Sequence, residues 1–373
     1  MKFLIDRGEL LKALGHVTNV VERRTTIPIL SNVLLRAENG NLNFNATDLE
    51  REVLEQCAIQ LHHEGAITVS AHLLHDIVRK LPGHAKVEFE QNIEHERVLI
   101  SSGQSRFSLQ TLPSEDFPDL AAGEMSHEFM LHAHELKRLI EKTKFAISTE
   151  ETRYYLNGIY FHTARGFDEM LTLRAVATDG HRLAQVDLPL PSGANGMPGV
   201  IIPRKTVHEL HRLLGDSEKE VTIRVSSSKV QFEIEHIILT SKLIDGQFPD
   251  YARVIPQNNN KEMRVSNTEF MNAVDRVSTI ASERGRAVKL NIASEKLVLS
   301  VNNPEGGSAT EELSIGYNSD ILEIGFSARY LLDIAGQLES EKALFFLADA
   351  GSPTLIRDTE DASVLYVLMP IRV

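Results

Sequence analysis

Along the chain, short stretches of alternating apolar and polar residues pass, at long regular intervals, into apolar residues spaced three and four apart. FLIDRGELLKAL (3–14), FMLHAHELKRLI (129–140) and MRVSNTEFMNAV (263–274) each read as a strand, a polar turn and a helix. Leu10, Leu11 and Leu14 share a face in the first copy, and Leu136, Leu139 and Ile140 in the second. Glu9, Glu135 and Glu269 open the three helices, where negative charge suits the positive helix end. A second triplet follows: ITVSAHLLHDIVRKL (67–81), VIIPRKTVHELHRLL (200–214) and EIGFSARYLLDIAGQL (323–338), each a strand, a Ser or Pro at the helix start, and a helix closing on leucine. Alternating segments come after each: KVEFEQ with RVLISS, VTIRVSSSKVQFEIE, and ALFFLAD with LYVLMPIRV.

A period this long makes the chain three copies of one unit, each with two helices and many strands. The fold class is α+β, with each helix pair packed on antiparallel sheet. The Pro-containing tails SEDFPDL (114–120) and DGQFPDYARVIP (245–256) end the first two copies, which places the domains at 1–121, 126–256 and 257–373. Equivalent copies can join edge to edge, which hides strand edges, and closure into a ring is the natural end of such repetition.

Composition narrows the class. The 373 residues exceed one ordinary core, and 42% hydrophobic with 24% charged residues is the balance of a folded soluble protein. A single cysteine, Cys57, cannot form an internal disulfide and fits a reducing compartment. The opening MKFLIDRGELLKAL lacks the apolar block of a signal peptide, and no run is long enough to span a membrane, so the expectation is a cytoplasmic protein.

A net charge of −13 argues against a nucleic-acid partner until its distribution is considered. The six predicted helices, 7–24, 70–81, 134–145, 203–214, 267–286 and 327–339, carry +6 together, which leaves −19 for the rest. Basic helices on one surface would hold a polyanion through its phosphates without reading bases. Ordinary solvated helix faces would give the same count.

Catalytic signatures are missing: there is no phosphate-cradling glycine loop, GxGxxG, GxSxG or HExxH. His208, Glu209 and His211 spell HELH, with the histidines three apart instead of four, and read as a solvated helix face, not zinc ligands. His62 and His63 adjoin on a strand and point to opposite faces. Cys57, in the alternating VLEQCAIQL, reads as a packed thiol. No metal and no cofactor is expected.

The one stretch that resembles chemistry is ATDGHRLA (177–184). Asp179 and His181 could orient a general base, which would make the protein an enzyme such as a hydrolase. The plainer reading is a turn between the strands LTLRAVAT and LAQVDL, in which Thr178 and Asp179 accept backbone hydrogen bonds and Gly180 supplies a permissive angle. A third is recognition, since the first copy's NFNATDLEREV (43–53) shares Ala-Thr-Asp but continues differently. A scaffold of three modules that binds proteins and never DNA is a further alternative.

Long stretches in order, RRTTIPILSNVLL (23–35), SRFSLQTLPSEDFPDL (105–120), RYYLNGIYF (153–161), ATDGHRLA, IIPRK (201–205), TSKLIDGQFPDYARVIP (240–256), NNPE (302–305) and VLMPIRV, resemble the bacterial sliding clamps, the beta subunits of the replicative DNA polymerase III holoenzyme. The resemblance implies a non-catalytic processivity factor, a head-to-tail homodimer of three-domain chains in which each chain forms half of a closed ring and helices line the hole. Its implied partners are double-stranded DNA without sequence preference, a second copy of itself, the polymerase catalytic subunit, the clamp loader, and other polymerases and repair proteins that carry a short clamp-binding motif. No membrane partner is implied.

By position, the resemblance implies a partner-peptide cleft of Leu156, Thr178, Gly180, His181, Arg182, Leu183, Pro249, Arg253, Val254, Tyr330, Val367, Leu368, Met369, Pro370, Ile371 and Arg372. Apolar subsites with Arg and His at the rim suit an extended peptide, and methionine adapts to varied partners. It implies DNA contact by Arg24, Arg153, Tyr154, Tyr155, Arg204 and Lys205, and a subunit seam of Arg97, Arg106, Phe107 and Leu109 against Ile280, Glu305, Glu311 and Glu312 of the other chain. The sequence departs from the family at Gly306, Gly307 and Ser308, where acidic residues are usual, at Glu150 before RYY, and at Ile371, where methionine is common. Gly351 and Pro353 stand where cleft side chains would otherwise be assigned.

Overall fold

The computed structural model describes residues 1–92, 96–120, 123–166, 169–215, 218–281, 287–304 and 306–372. Six α-helices lie among them: α1 (Arg7–Val17), α2 (Ala71–Lys80), α3 (Ala133–Lys144), α4 (Arg204–Leu214), α5 (Asn267–Ser278) and α6 (Ala328–Ala335). The Asp6 carboxylate caps α1 by accepting from the Gly8 amide at 2.8 Å, and Ser266 Oγ accepts from Glu269 N in α5. Ser70 and Ser327 hold the matching positions of α2 and α6 without a side-chain cap bond, so the capping expected of them is not made.

The first helix is shorter than the 7–24 expected. Thr18 closes it, its amide and its hydroxyl both bonding Leu14 O, and the β-branched Val20 and Val21 are buried beyond it. Arg23 and Arg24 therefore sit exposed in the segment after α1 and not on a helix. Leu10, Ala13, Leu14 and Val17 form its buried face, with Leu11 only half-buried. The last part of the expected 267–286 helix, residues 282–286, lies outside the described residues.

By contacts the chain divides into two compact units: Met1–His134 with Pro191–Pro198 and Lys205–Leu243, and Glu135–Leu190 with Gly199–Arg204 and Ile244–Val373. The first unit holds two antiparallel sheets. One has five strands, ordered Gln60–His63, Lys2–Asp6, Lys86–Asn92, Arg97–Ser102 and Ser105–Gln110. The other has eight, ordered His127–His132, Glu220–Val225, Lys229–Ile234, Ile237–Lys242, Arg51–Ala58, Asn41–Thr47, Asn32–Glu38 and Gly65–Ser70. α1 packs on α2 and on the strands Asn41–Thr47 and Arg51–Ala58. Phe3, Phe44 and Phe89 are fully buried, and Phe3 stacks on Phe89 at 4.8 Å.

The second unit repeats the scheme with a nine-stranded and a four-stranded sheet. Val200–Pro203, Gly158–Arg165, Leu171–Thr178, Arg182–Pro189, Val364–Leu368, Thr354–Asp358, Lys342–Leu347, Lys261–Ser266 and Gly316–Tyr317 follow one another in the larger; Gly307–Ser314, Lys296–Asn303, Ala287–Ala293 and Leu322–Ser327 in the smaller. α5 packs on α6 and against the smaller sheet.

The two long sheets are continuous across sequence repeats, by the same device each time. Arg51–Ala58 of the first copy pairs with Ile237–Lys242 of the second, from Arg51↔Ser241 to Glu55↔Ile237. Arg182–Pro189 of the second pairs with Val364–Leu368 of the third, from Arg182↔Leu368 to Val186↔Val364. Edge-to-edge joining of equivalent copies, expected from the repeat, is what covers these four strand edges.

Candidate functional site

The stretch 177–184 is a strand-to-strand turn whose polar side chains serve the backbone. Thr178 Oγ1 donates to Arg182 O at 2.7 Å and accepts from Gly180 N at 3.1 Å. Asp179 Oδ1 accepts from the amides of His181 (2.9 Å) and Arg182 (3.0 Å), while its Oδ2 takes the Arg182 Nε at 3.1 Å. The Asp179 carboxylate is thus occupied by its own turn and is not aimed at the His181 ring. Gly180 suits the turn on two counts: its φ is +88°, and a Cβ there would lie 2.5 Å from Arg153 Nη1, the end of a side chain that would have to shift.

The first copy contains the same frame, including an arginine that sequence comparison of the two stretches missed. Thr47 Oγ1 bonds Arg51 O, Asp48 Oδ1 accepts from the amides of Glu50 and Arg51, and Asp48 Oδ2 takes Arg51 Nε at 3.0 Å. The elaboration of the second copy is therefore confined to Gly180 and His181, where the first has Leu49 and Glu50. Leu49 holds the same left-handed backbone at φ +72°.

Arg182, expected at a rim, lies beneath the surface at 5% exposure. Its guanidinium bonds Asp333 and Phe145 O and is sandwiched between aromatic rings, 5.1 Å from the Phe145 centroid and 4.2 Å from that of Tyr330. Tyr330, half-buried, also stacks with the exposed His181 at 6.3 Å. Burial raises the Tyr330 hydroxyl above its usual range, so it stays a neutral hydrogen-bonding group. Phe145 and Asp333 were not among the sequence candidates; the signal that could have found them is their position at the ends of the helices flanking the turn.

Around the turn, the candidates fall into a buried floor and an exposed fringe. Leu156, Leu183 and Val367 belong to one buried apolar cluster with Val176, Phe248 and Leu365, and Tyr155 and Tyr251 pack against it. Leu368 is fully buried and Thr178 nearly so. Gly180, His181, Pro249, Arg253, Val254, Met369 and Arg372 are exposed; Tyr330, Pro370 and Ile371 are intermediate. The amide of Met369 bonds His181 O at 2.9 Å and that of Ile371 bonds Gly325 O at 2.8 Å, which fixes the terminal segment beside the turn. Val254 at 48% and Met369 at 36% are exposed apolar side chains; Val254 adjoins Ile255, which packs on that cluster, Met369 follows Val367 of the cluster by way of Leu368, and Arg253 and His181 are exposed as well. Such a surface can take up apolar side chains of an extended segment and pair with its polar groups.

Of the residues expected to contact DNA, Arg24, Tyr154 and Arg204 are exposed. Lys205 is exposed and ion-paired with Glu22 at 2.8 Å. Arg153 is paired with Glu150 at 2.7 Å and lies against Gly180, and Tyr155 packs on the buried apolar cluster that includes Val176 and Leu183; both belong spatially with the turn. The helix charge count is also partly consumed inside the fold. Lys142 of α3 is buried, bonding Gln337 O and Glu339, and Arg138 is paired with Asp361.

Five of the expected seam residues, Arg106, Phe107, Leu109, Glu311 and Glu312, lie on two sheet edges. Arg106, Phe107 and Leu109 are on the edge strand Ser105–Gln110, with Arg97 on the strand beside it, its Nη1 on Ser108 Oγ at 3.3 Å. Glu311 and Glu312 are on the edge strand Gly307–Ser314, paired in-chain with Arg276 and Lys296. Ile280 O accepts from Asn303 Nδ2 at 2.9 Å, and Glu305 lies outside the described residues. Leu99, 44% exposed beside that first edge, was not anticipated.

The remaining sequence candidates stay structural. Cys57 is half-buried, and burial together with Glu55 and Glu9 pushes its thiol up to about 12, so it carries no thiolate at neutral pH. Glu209 of the HELH stretch is buried and bonded to Arg212. Among the described residues no group of three His, Cys, Asp or Glu is placed to hold a metal, and no helix is long and apolar enough to cross a membrane.

Comparison with known proteins gives the class. Three successive family models match, the N-terminal domain of the DNA polymerase III beta subunit over residues 1–121, its central domain over 130–250 and its C-terminal domain over 252–372. The beta sliding clamp of Caulobacter vibrioides is 52% identical over 373 residues, and that of Escherichia coli K12 is 40% identical over 375, each covering 100% of both chains. A crystal structure of the DnaN sliding clamp of Bartonella birtlesii, bound to griselimycin, superimposes with a TM-score of 0.97 at 54% identity and complete coverage of both chains. The chain belongs to the bacterial beta sliding clamp family, the beta subunits of DNA polymerase III.

Proposed function

We propose that two copies of this chain, each of three domains over 1–121, 126–256 and 257–373, close head to tail into a ring around duplex DNA. The ring catalyses nothing; it is a cytoplasmic processivity factor that holds polymerases on DNA by enclosure. One observation carries the reading. Twice within the chain, a first-half edge strand joins a second-half edge strand of the next copy. The third copy's corresponding strand is Gly307–Ser314 and the first copy's is Ser105–Gln110, and both end their sheets. A partner chain supplies the missing pairing each way, which makes a heterologous contact that closes. Phe107 and Leu109 supply an apolar centre, and Arg97, Arg106, Glu311 and Glu312 a charged rim. Gly306, Gly307 and Ser308 leave that rim less acidic than is usual in the family.

Arg24, Tyr154, Arg204 and Lys205 address phosphates, while Arg153 and Tyr155 belong with the turn at 177–182. Polymerases, the clamp loader and repair proteins dock a short linear segment over the turn at 177–182, with Val254, Met369, Pro370 and Ile371 as apolar walls. Each apolar anchor of about Leu or Phe size contributes about 1.5–3 kcal/mol, enough for exchangeable binding after association costs. Light scattering tests the ring: the account predicts twice the chain mass for the wild type and a folded single-chain species for Phe107→Asp. A wild-type monomer at micromolar concentration would remove the ring.

A further inference from the structure

The second unit contains a cavity of about 200 Å³ beside the segment that follows the turn Tyr251–Val254. Its polar lining is Arg165, Arg174, Arg357, Gln185 and Gln257, and among the described residues no Asp or Glu lines it. Three guanidinium groups around one small space are unexpected in a chain of net charge −13. Asp187 holds Arg174 through Nε at 2.6 Å and Nη2 at 2.7 Å. Arg174 Nη2 also donates to Arg165 O at 3.0 Å, and Arg165 Nη1 to Glu169 O at 3.1 Å, which fixes both arginines through the backbone. Burial works against the charge of Arg357. Gln185, with its amide turned, accepts from Arg174 at 3.2 Å and directs its NH2 elsewhere as a further donor.

The first unit shows that this is not a by-product of the repeat. Aligning the two Thr-Asp turns through the strand registers puts Asn43 at the place of Arg174 and Leu54 at that of Gln185. The cavity there, about 660 Å³, has Arg36 as its one arginine among the described residues, together with Glu38, Asp119, Glu233 and Glu235. A basic lining is therefore particular to the second unit.

We propose that the arginine-lined cavity is a binding site for a small oxyanion, a phosphate or a carboxylate. Guanidinium groups present paired donors that match the geometry of either, and a space of this size admits one such group and excludes large ligands. The site does not rest on the clamp reading, although it shares Leu365 with the apolar cluster beneath the turn at 177–184.

The test is thermal unfolding of the full chain with inorganic phosphate or acetate, at an ionic strength held constant with sodium chloride. A saturable rise in Tm with phosphate assigns a phosphate site, and one with acetate a carboxylate site; either supports the proposal. Arg165→Gln, at an exposed position, and Arg357→Gln each weaken the half-saturating concentration by roughly tenfold, the loss of one charge-assisted contact. Gln257→Glu supplies a carboxylate internally and abolishes the response, whatever its own effect on Tm. No saturable rise above the chloride control, or an unchanged half-saturation in both arginine variants, overturns it.

Discussion

The turns at 46–51 and 177–182 share one hydrogen-bonded frame and differ in what surrounds it. In both, a threonine and an aspartate tie the turn and orient an arginine. Arg51 spends its free end on Lys205 O, whereas Arg182 reaches Asp333 and Phe145 O between two aromatic rings. The frame is architecture, since it serves a copy with no cleft residues of its own. On the proposed reading, recognition rests on Gly180 and His181, the two positions that the frame leaves open and that hold Leu49 and Glu50 in the first copy.

Replacing the arginines breaks the comparison hardest. Arg182→Ala takes one partner from Asp179, which keeps two amides, and one from Asp333, which keeps Arg329, and it empties an aromatic slot; the expected loss is about 2–4 kcal/mol in denaturant unfolding. Arg51→Ala strands only Asp48 and one carbonyl, and about 1–3 kcal/mol is expected. Equal losses would mean that the aromatic sandwich and Asp333 add nothing. The glycine exchange comes next. Gly180→Ala meets both a left-handed backbone and the Arg153 guanidinium, and a cost of about 1–3 kcal/mol with weakened binding of a clamp-binding peptide is expected. Leu49→Gly relieves the same backbone and should change stability by less than about 1 kcal/mol. At the adjacent position, His181→Ala should weaken peptide binding several-fold, read by fluorescence anisotropy, with stability unchanged. Glu50→Ala should leave both unchanged, since its pair with Lys242 is exposed.

The smallest effect is a pH dependence at one register place of the second copy. Burial holds His162 below the usual histidine range; Thr163 O opposes that, Arg174 adds to it, and Asp187 opposes it more weakly. Tyr251 is hydrogen-bonded to its Nε2. The unfolded chain then binds the proton first, so stability is full above the ordinary histidine pKa and falls as pH drops through it toward the lowered folded value. Arg36 stands at this register place in the first copy. His162→Gln should flatten the mildly acidic limb of a stability–pH profile, and an unchanged limb would assign it to another group.

Much of the fold was legible because its signals are local. The strand-helix pairs and the Thr-Asp-Gly turn each follow from side-chain spacing within a dozen residues, and the repeat from the recurrence of those pairs along the chain. Helix ends were less so: the 7–24 helix ends at Val17 because of a hydroxyl cap and buried β-branched residues, which apolar spacing alone does not reveal. Charge counting erred in another way. Lys142 and Arg138 look solvent-facing in sequence, yet their partners Glu339 and Asp361 are about two hundred residues away. The same distance hides the surroundings of Arg182, whose contacts with Phe145, Tyr330 and Asp333 turn an apparent rim residue into a buried support.

Enclosure of DNA is tested most directly by retention on closed circular as against linear duplex. After loading onto a nicked circle, the account predicts that the protein stays bound through high-salt gel filtration and leaves within minutes once a restriction enzyme linearises the circle. Equal retention before and after cutting, or release from both in salt, would show binding by contact and contradict the ring.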